Sequence, residues 1–358
     1  MVKIGIVGAS GFVGRRAVEM LHKDGFTICS IVRQPAALLC FRNMDLEGHV
    51  ANAFDQKALE KAFQGCDVVI HSVLGSAGLI RGSIAPAYYA AQKAGVRRLI
   101  YLSSMIVHTS APAPGTIEST PPIQHQPGFP THVAKIDAER RLMKLRQRGE
   151  VEVVIFRPGI VFGPRSRWVS ELASQLINGT AYFINGGRGI CNTVYVDNLI
   201  HAMRLSMEAS GADGEAFFVG DRELITWFDF YRPFAKALGV DINHIPHLAV
   251  PEFNHNKKQQ WIGTIRESEF IQKSLALLPE DFKHKLKHIR SRRSQPVTET
   301  LPITAVTAQP VVTEMMAVLQ QSKYKLPFIK AEKTLGYEPI VSFEGGCQHS
   351  INWLLEQQ

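Results

Sequence analysis

No uninterrupted apolar run in the 358-residue chain approaches the length of a membrane-crossing helix. The N-terminus lacks the basic-then-apolar leader and small-residue cleavage site of a secretory signal: Met1 runs directly into KIGIVGASG. Cysteine is scarce, with five scattered residues (Cys29, Cys40, Cys66, Cys191, Cys347), an odd number and no CxxC pair. A disulfide framework is therefore not expected, nor is a metal site, and the thiols read as reduced in a cytoplasmic protein. There is no internal repeat of fixed period and no nucleic-acid-binding motif, and the basic charge is not interleaved with aromatic residues.

What is present is an ordinary soluble composition, 45% hydrophobic and 20% charged, on a chain long enough for one large domain or two joined ones. The net charge of +8 is concentrated: between His255 and Gln295 ten Lys/Arg face four Asp/Glu, a local +6. Inside that segment LLPEDFKHKLKHIRSRR places Pro279 in a first helical turn and Leu278, Phe282, Leu286 and Ile289 on one stripe, with Lys and Arg at most other positions. Residues 278–293 read as a domain helix with a solvated basic face, as a surface peripheral to an anionic membrane, or as a lid over an acidic ligand such as a nucleotide diphosphate.

The first half of the chain alternates strand and helix. Apolar strands are predicted at Lys3–Val7, Thr27–Val32, Asp67–Val73, Arg98–Ser103 and Val151–Phe156. Helices are predicted at Gly14–Lys23, at QKALEKAFQ after the cap Asp55, at Ile84–Ala94 and around Lys135; Gly25, Gly65 and Gly95 are placed to end three of them. Near-continuous apolar strands separated by helices imply a parallel sheet covered on both faces. After about residue 165 the pattern loosens, with helices expected at 167–178 and 198–208. Gln295–Pro310 reads as a linker or irregular loop, and order returns from Tyr324. The fold class is α/β: a Rossmann-type doubly wound sheet with a smaller C-terminal substrate domain. Its expected bounds are 1–165 for the dinucleotide domain, with later elements to about 240 interleaved, and 166–358 mainly for the substrate domain, including a basic helical insertion at about 250–322.

GASGFVG, Gly8 to Gly14, follows a strand and opens a helix. Glycines permit the tight turn and let backbone approach a pyrophosphate, while the helix N-terminus offers free N–H groups and partial positive charge. Gly8, Ser10, Gly11, Phe12, Val13 and Gly14 are thus candidate diphosphate contacts; the alternative is an ordinary glycine-rich turn. At the end of the second strand the sequence reads Ser30-Ile31-Val32-Arg33, with no acid to bond a ribose 2′-OH. Arg33 either forks onto a 2′-phosphate, favouring NADP over NAD, or is a solvated surface side chain.

These motifs, with QGCDVVIHSV, LIYLSSMIVH, RPGIVFGP (157–164), VYVDNLIHAM (194–203) and the tail KAEKTLGYEPIVSFEGG, resemble the extended short-chain dehydrogenases/reductases, the NAD(P)-dependent epimerase/dehydratase group. The likeness covers most of residues 1–240 and 324–355. It implies that Ser104 is the catalytic Ser/Thr, Lys135 the lysine of YxxxK, and Asn52, with Ala53 beside it, the adenine contact. It also implies that Ser72, Val73 and Leu74 line the cofactor and that Pro158, Gly159, Ile160 and Val161 lie against the nicotinamide.

The departure is Thr131, where the family places its tyrosine. A phenol starts near pKa ~10 and is lowered by a neighbouring lysine; a threonine alcohol cannot serve as a base at neutral pH, though it can hydrogen-bond. His132 is an i, i+3 neighbour of Lys135 and an imidazole suits proton transfer, but it is rotated about 100° from the expected face; it is otherwise a solvated or capping residue. His108, where the family usually has Tyr, follows the Ser104 strand toward the cleft, and His125 lies in the proline-rich loop before Lys135. The resemblance implies an NADP-dependent oxidoreductase or epimerase moving hydride at a hydroxyl- or ketone-bearing carbon of a sugar nucleotide or a lipid- or polyketide-like substrate, as a homodimer or monomer. The alternatives are a catalytically silent NADP-binding sensor or scaffold, and a non-redox isomerase or cyclase.

Overall fold

The computed structural model describes residues 2–123, 129–253 and 309–357. His125 and the basic stripe at 278–293 lie outside the described residues, as do most of the 250–322 insertion and the Gln295–Pro310 linker.

The dinucleotide half consists of β1 (Lys3–Val7), α1 (Phe12–Lys23), β2 (Thr27–Val32), β3 (Glu47–Val50), α2 (Gln56–Ala62), β4 (Val68–His71), α3 (Ala77–Gly82), α4 (Ile84–Lys93), β5 (Arg98–Leu102), α5 (Pro130–Arg146) and β6 (Glu152–Pro158). Further along come β7 (Ile160–Phe162), α6 (Arg167–Ile177), β8 (Phe183–Ile184), β9 (Thr193–Tyr195), α7 (Val196–Ser206), β10 (Ala216–Val219), α8 (Trp227–Ala237) and β11 (His247–Leu248). The described chain ends in helices Glu314–Leu319, Ile329–Leu335 and Phe343–Leu355. Seven strands form one parallel sheet in the order β10-β6-β5-β4-β1-β2-β3, so the direction of winding reverses between β1 and β4.

Strand alternation sorts the core into two layers. Ile4, Ile6, Val68, Ile70, Ile100, Val154 and Phe156 face α1 and α7. Val7, Cys29, Val69, Leu99, Tyr101, Val153 and Ile155 face α2, α4 and α5. The first layer also holds Phe183, Trp227, Phe230 and Phe343, so residues beyond 165 share a core with the sheet. Asn198 fixes the tail: its amide nitrogen donates to Val341 O and its oxygen accepts from Ile340 N and Val341 N.

Three elements escape the sequence pattern. β3 has the composition Glu-Gly-His-Val, which shows no apolar alternation because it is an edge strand with one flank in solvent. α3 is six residues long, too short to show a helical period. β10 joins the outer edge of the main sheet although it lies far past residue 165. The strand expected at Asp67–Val73 is shorter at both ends, leaving Ser72 to Leu74 as a loop at the carboxyl edge of the sheet.

Candidate functional site

At the β1/β4 reversal the glycine loop is built by close approach. Gly8 has φ +83°, a conformation most side chains avoid, and a Cβ there would lie 3.1 Å from Ser72 Oγ. A Cβ at Gly14 would fall 2.2 Å from Gly8 O, so the first turn of α1 can pack on the loop only as glycine. Gly8 N and Ala9 N donate to Ile31 O and Ser72 Oγ donates to Val7 O, pinning the loop across three strands. At the N-cap of α1, Gly11, no side-chain bond is made, and the first turn has no acid. Ser10 and Gly11 are exposed. Backbone N–H groups at this helix end therefore face solvent with their partial positive charge uncompensated, and the glycine cradle fits a dinucleotide diphosphate.

Arg33 stands exposed just past β2, and no hydrogen bond or ion pair holds it among the described residues. Asn52 follows β3 and turns its Oδ1 back to accept from Phe54 N at 3.1 Å, while Ala53 beside it is buried. Ser72 and Val73 are partly buried, and Leu74 is 77% exposed, an apolar side chain standing in solvent at the carboxyl edge of the sheet. On the other side Pro158 closes β6. A Cβ on Gly159 would meet Asn192 O at 2.0 Å, Ile160 N donates to that same oxygen at 2.7 Å, and Val161 continues into β7.

Lys135 on α5 lies buried beside β5. The residue is 3% exposed, and its Nζ donates to Leu102 O at 2.6 Å and lies 5.0 Å from the Tyr101 ring centroid. Burial pushes its pKa down to about 8, partly opposed by the charge of Glu139. Thr131 is partly buried one turn before it on the same face of α5. Ser104 caps the short 3-10 turn Met105–His108, with its Oγ accepting from Ile106 N at 3.4 Å. Directly beyond that turn Thr109, a β-branched residue, is held at φ +95°, a strained backbone beside the site.

Both histidines are more enclosed than their sequence positions imply. His132 is 3% exposed rather than solvated; it stacks on Phe129 with ring centroids 4.7 Å apart, and burial lowers its pKa to about 4. His108 is buried against Phe218, and its Nε2 accepts from Arg157 Nη1 at 3.0 Å, so its proton belongs on Nδ1. Burial, then the Arg157 charge, holds His108 near pKa 4. Arg157 therefore occupies the Nε2 position of the His108 ring.

The surrounding support was missed in the sequence. Arg157 on β6 makes a two-pronged bridge to Glu139, one turn after Lys135 on α5, with Nη2 to Oε2 at 2.6 Å, and its Nη1 also donates to Glu118 O. His71 and Tyr101 are register partners on β4 and β5, and both face α5. The Tyr101 hydroxyl and both His71 ring nitrogens are buried and meet no partner among the described residues. Burial raises the Tyr101 pKa well above the ordinary phenol range. The period-2 alternation of DVVIH and RLIYL was the available signal for this pair.

A parallel, doubly wound sheet with a glycine cradle and an unclaimed helix N-terminus at its reversal point defines a Rossmann-type protein built for an NAD(P)-type dinucleotide. Residues 4–220 match the NAD dependent epimerase/dehydratase family, and the chain belongs to that family. Among curated relatives it is similar to 4-hydroxy-2-methyl-3-oxo-4-farnesyl-3,4-dihydroquinoline-1-oxide ketoreductase of Stigmatella aurantiaca, 23% identical over 74% of this chain and 82% of the relative. It is also similar to a decarboxylating sterol-4-alpha-carboxylate 3-dehydrogenase of Candida albicans, 22% identical over 98% of this chain and 97% of the relative. Its fold is similar to that of UDP-glucuronic acid 4-epimerase from Bacillus cereus, solved with UDP-glucuronic acid and NAD, at TM-score 0.69 and 17% identity over all of both chains. Among the described residues no helix is long and apolar enough to cross a membrane.

Proposed function

We propose that this protein is an NADP-dependent oxidoreductase of the epimerase/dehydratase family that transfers hydride at a hydroxyl- or ketone-bearing carbon, with its acid–base chemistry altered at position 131. The observation that carries the reading is the glycine cradle at the sheet's reversal point, in which a Cβ at Gly14 would sit 2.2 Å from Gly8 O. When bound, the nicotinamide supplies or accepts the hydride. The backbone from Gly8 to Gly14 holds the diphosphate, Arg33 reads the 2′-phosphate, and Asn52 and Ala53 flank the adenine. Ser72, Val73 and Leu74 on one side and Pro158 to Val161 on the other wall the cleft. Ser104 orients the substrate oxygen and Lys135 the ribose. With a pKa of about 8, Lys135 holds a proton at neutral pH that it can release, and the Thr131 hydroxyl one turn away can bridge that proton toward the substrate without itself ionising. The described residues beyond 165 supply most of the substrate side, and a ketone or alcohol on an apolar skeleton is the substrate class, in line with the two named curated relatives.

A second reading, cofactor binding without turnover, is supported by the enclosure of both His108 and His132 beside a position that lacks a phenol. The test separates the two. Purified protein is mixed with NADPH and a panel of apolar ketones, and nicotinamide absorbance is followed for wild type and Thr131→Tyr. A reductase turns over, and the added phenol raises its rate roughly tenfold or more. Tight NADPH binding with no absorbance change in either protein removes the reductase reading in favour of binding without net redox turnover. Calorimetry that detects neither pyridine nucleotide removes both.

A further inference from the structure

At the edge of the sheet, a different group of side chains converges, on the face covered by α2. Cys29 on β2 lies opposite Glu47 on β3 and opposite Gly5 on β1. His49, two residues after Glu47, projects from the same face. One ligand atom from each of Cys29, Glu47 and His49 lies within 4.8 Å of the other two. His49 Nε2 and Glu47 Oε1 are 2.6 Å apart, and the other carboxylate oxygen takes the Lys3 ammonium at 2.6 Å. The Cys29 thiol donates to Ala62 O at 3.1 Å, and Cys66 contacts the same carbonyl at 3.9 Å. Gly5 leaves room beside the thiols: a Cβ there would stand 3.3 Å from Cys66 Sγ.

We propose that Cys29, Glu47 and His49 form a binding site for a thiophilic divalent transition metal of the zinc class. A thiolate, an imidazole and a carboxylate are the donors such an ion selects. Bond lengths of about 2.3 Å to sulfur and about 2.0–2.1 Å to nitrogen and oxygen set donor separations of roughly 3.3–3.6 Å, within reach of the present grouping by small side-chain rotations. The metal replaces two hydrogens: the Cys29 thiol proton, which leaves to solvent, and the one between Glu47 Oε1 and His49 Nε2, which moves to Nδ1 of the same ring. Its two positive charges are balanced by one thiolate and one carboxylate. Lys3, which also donates to Gln64 O at 3.1 Å, keeps its bond to the second carboxylate oxygen and orients it from outside the site. Glu47 is 44% and His49 32% exposed at the side chain, which provides entry from solvent and a fourth position for water. No spacing in the sequence reveals this group, because its members come from two strands brought together by parallel pairing.

The experiment is a Co²⁺ titration of tag-free, chelator-treated full-length protein, followed by absorbance. The expected result is uptake of one equivalent per chain, with a thiolate-to-cobalt charge-transfer band in the near ultraviolet, tetrahedral bands in the visible, and loss of both on adding Zn²⁺. Cys29→Ser removes the charge-transfer band. His49→Ala and Glu47→Gln, at partly exposed positions whose folding is checked by circular dichroism, each weaken uptake by about tenfold or more. Absence of these bands in wild type overturns the proposal, as does their persistence at unchanged affinity in His49→Ala and Glu47→Gln.

Discussion

Lys135 is an ammonium held almost wholly inside the protein, and its energetics follow from that. Unfolded, it titrates near its ordinary value of 10.5; folded, at about 8. Between those pH values the unfolded state binds more protons, so this group makes stability rise with pH from 8 to 10.5. Below 8 its full cost, about 3 kcal/mol, is present. Lys135→Met is therefore expected to stabilise the cofactor-free protein at pH 7 by up to about 3 kcal/mol, less the lost bond to Leu102 O, and to lose that advantage as pH approaches 10.5. Urea midpoints at several pH values check this; a Met variant whose advantage ignores pH contradicts it. Arg33, exposed and without a partner among the described residues, carries a separate expectation. Arg33→Ala should weaken NADPH binding about tenfold or more while sparing NADH, since a lost charge-assisted fork costs about 1.5–3 kcal/mol. Equal losses for both cofactors in a fluorescence titration would show that Arg33 does not read the 2′-phosphate.

At the level of elements, α5, which carries Lys135, is held by a bond that crosses the sheet's surface. Arg157 on β6 and Glu139 on α5 are each under a tenth exposed at the side chain and pair at 2.6 Å. Removing one partner leaves the other charge buried, so Glu139→Gln is expected to cost about 3–5 kcal/mol in denaturant unfolding. Because Lys135 lies one turn earlier on α5, kcat should fall more than KM rises. A variant that loses stability but keeps wild-type kcat would mean the bridge only holds the fold. The helix itself was legible in the sequence from its position between two apolar strands and from its lysine. The bridge was not, because nothing local marks Glu139 as facing Arg157: that depends on how α5 lies across β5 and β6. The same limit applied to β3, whose polar edge residues carry no pattern, and to β10, whose place in the sheet is set by a return of the chain from beyond residue 206.

Across the whole molecule, three buried histidines are expected to make the fold acid-sensitive. His71 is held near pKa 3, and His108 and His132 near 4, in each case mainly by burial. The unfolded chain protonates all three near their ordinary 6.5, while the folded chain takes up these protons only at lower pH. Between those limits the unfolded state binds more protons, so stability falls as pH drops from about 6.5 toward 4, by about 1.4 kcal/mol per pH unit for each histidine. His132→Gln should reduce that slope by about a third in urea titrations from pH 6.5 to 4.5. A slope unchanged by the substitution would place the acid sensitivity elsewhere.

The alternation of apolar strands with helices, the glycines after the first strand and the absence of a tyrosine four places before Lys135 are local facts of order and composition. They were enough to name the architecture and to place the glycine turn between β1 and α1, because backbone periodicity and a missing Cβ act over a few residues. Other features belong to the folded chain alone: the enclosure of His108 and His132, the His71–Tyr101 pair beneath Lys135, the Arg157–Glu139 bridge, and the meeting of Cys29 with Glu47 and His49. Each joins residues from separate elements, and their solvation and charge environment exist only once parallel pairing and helix packing have brought those elements into contact.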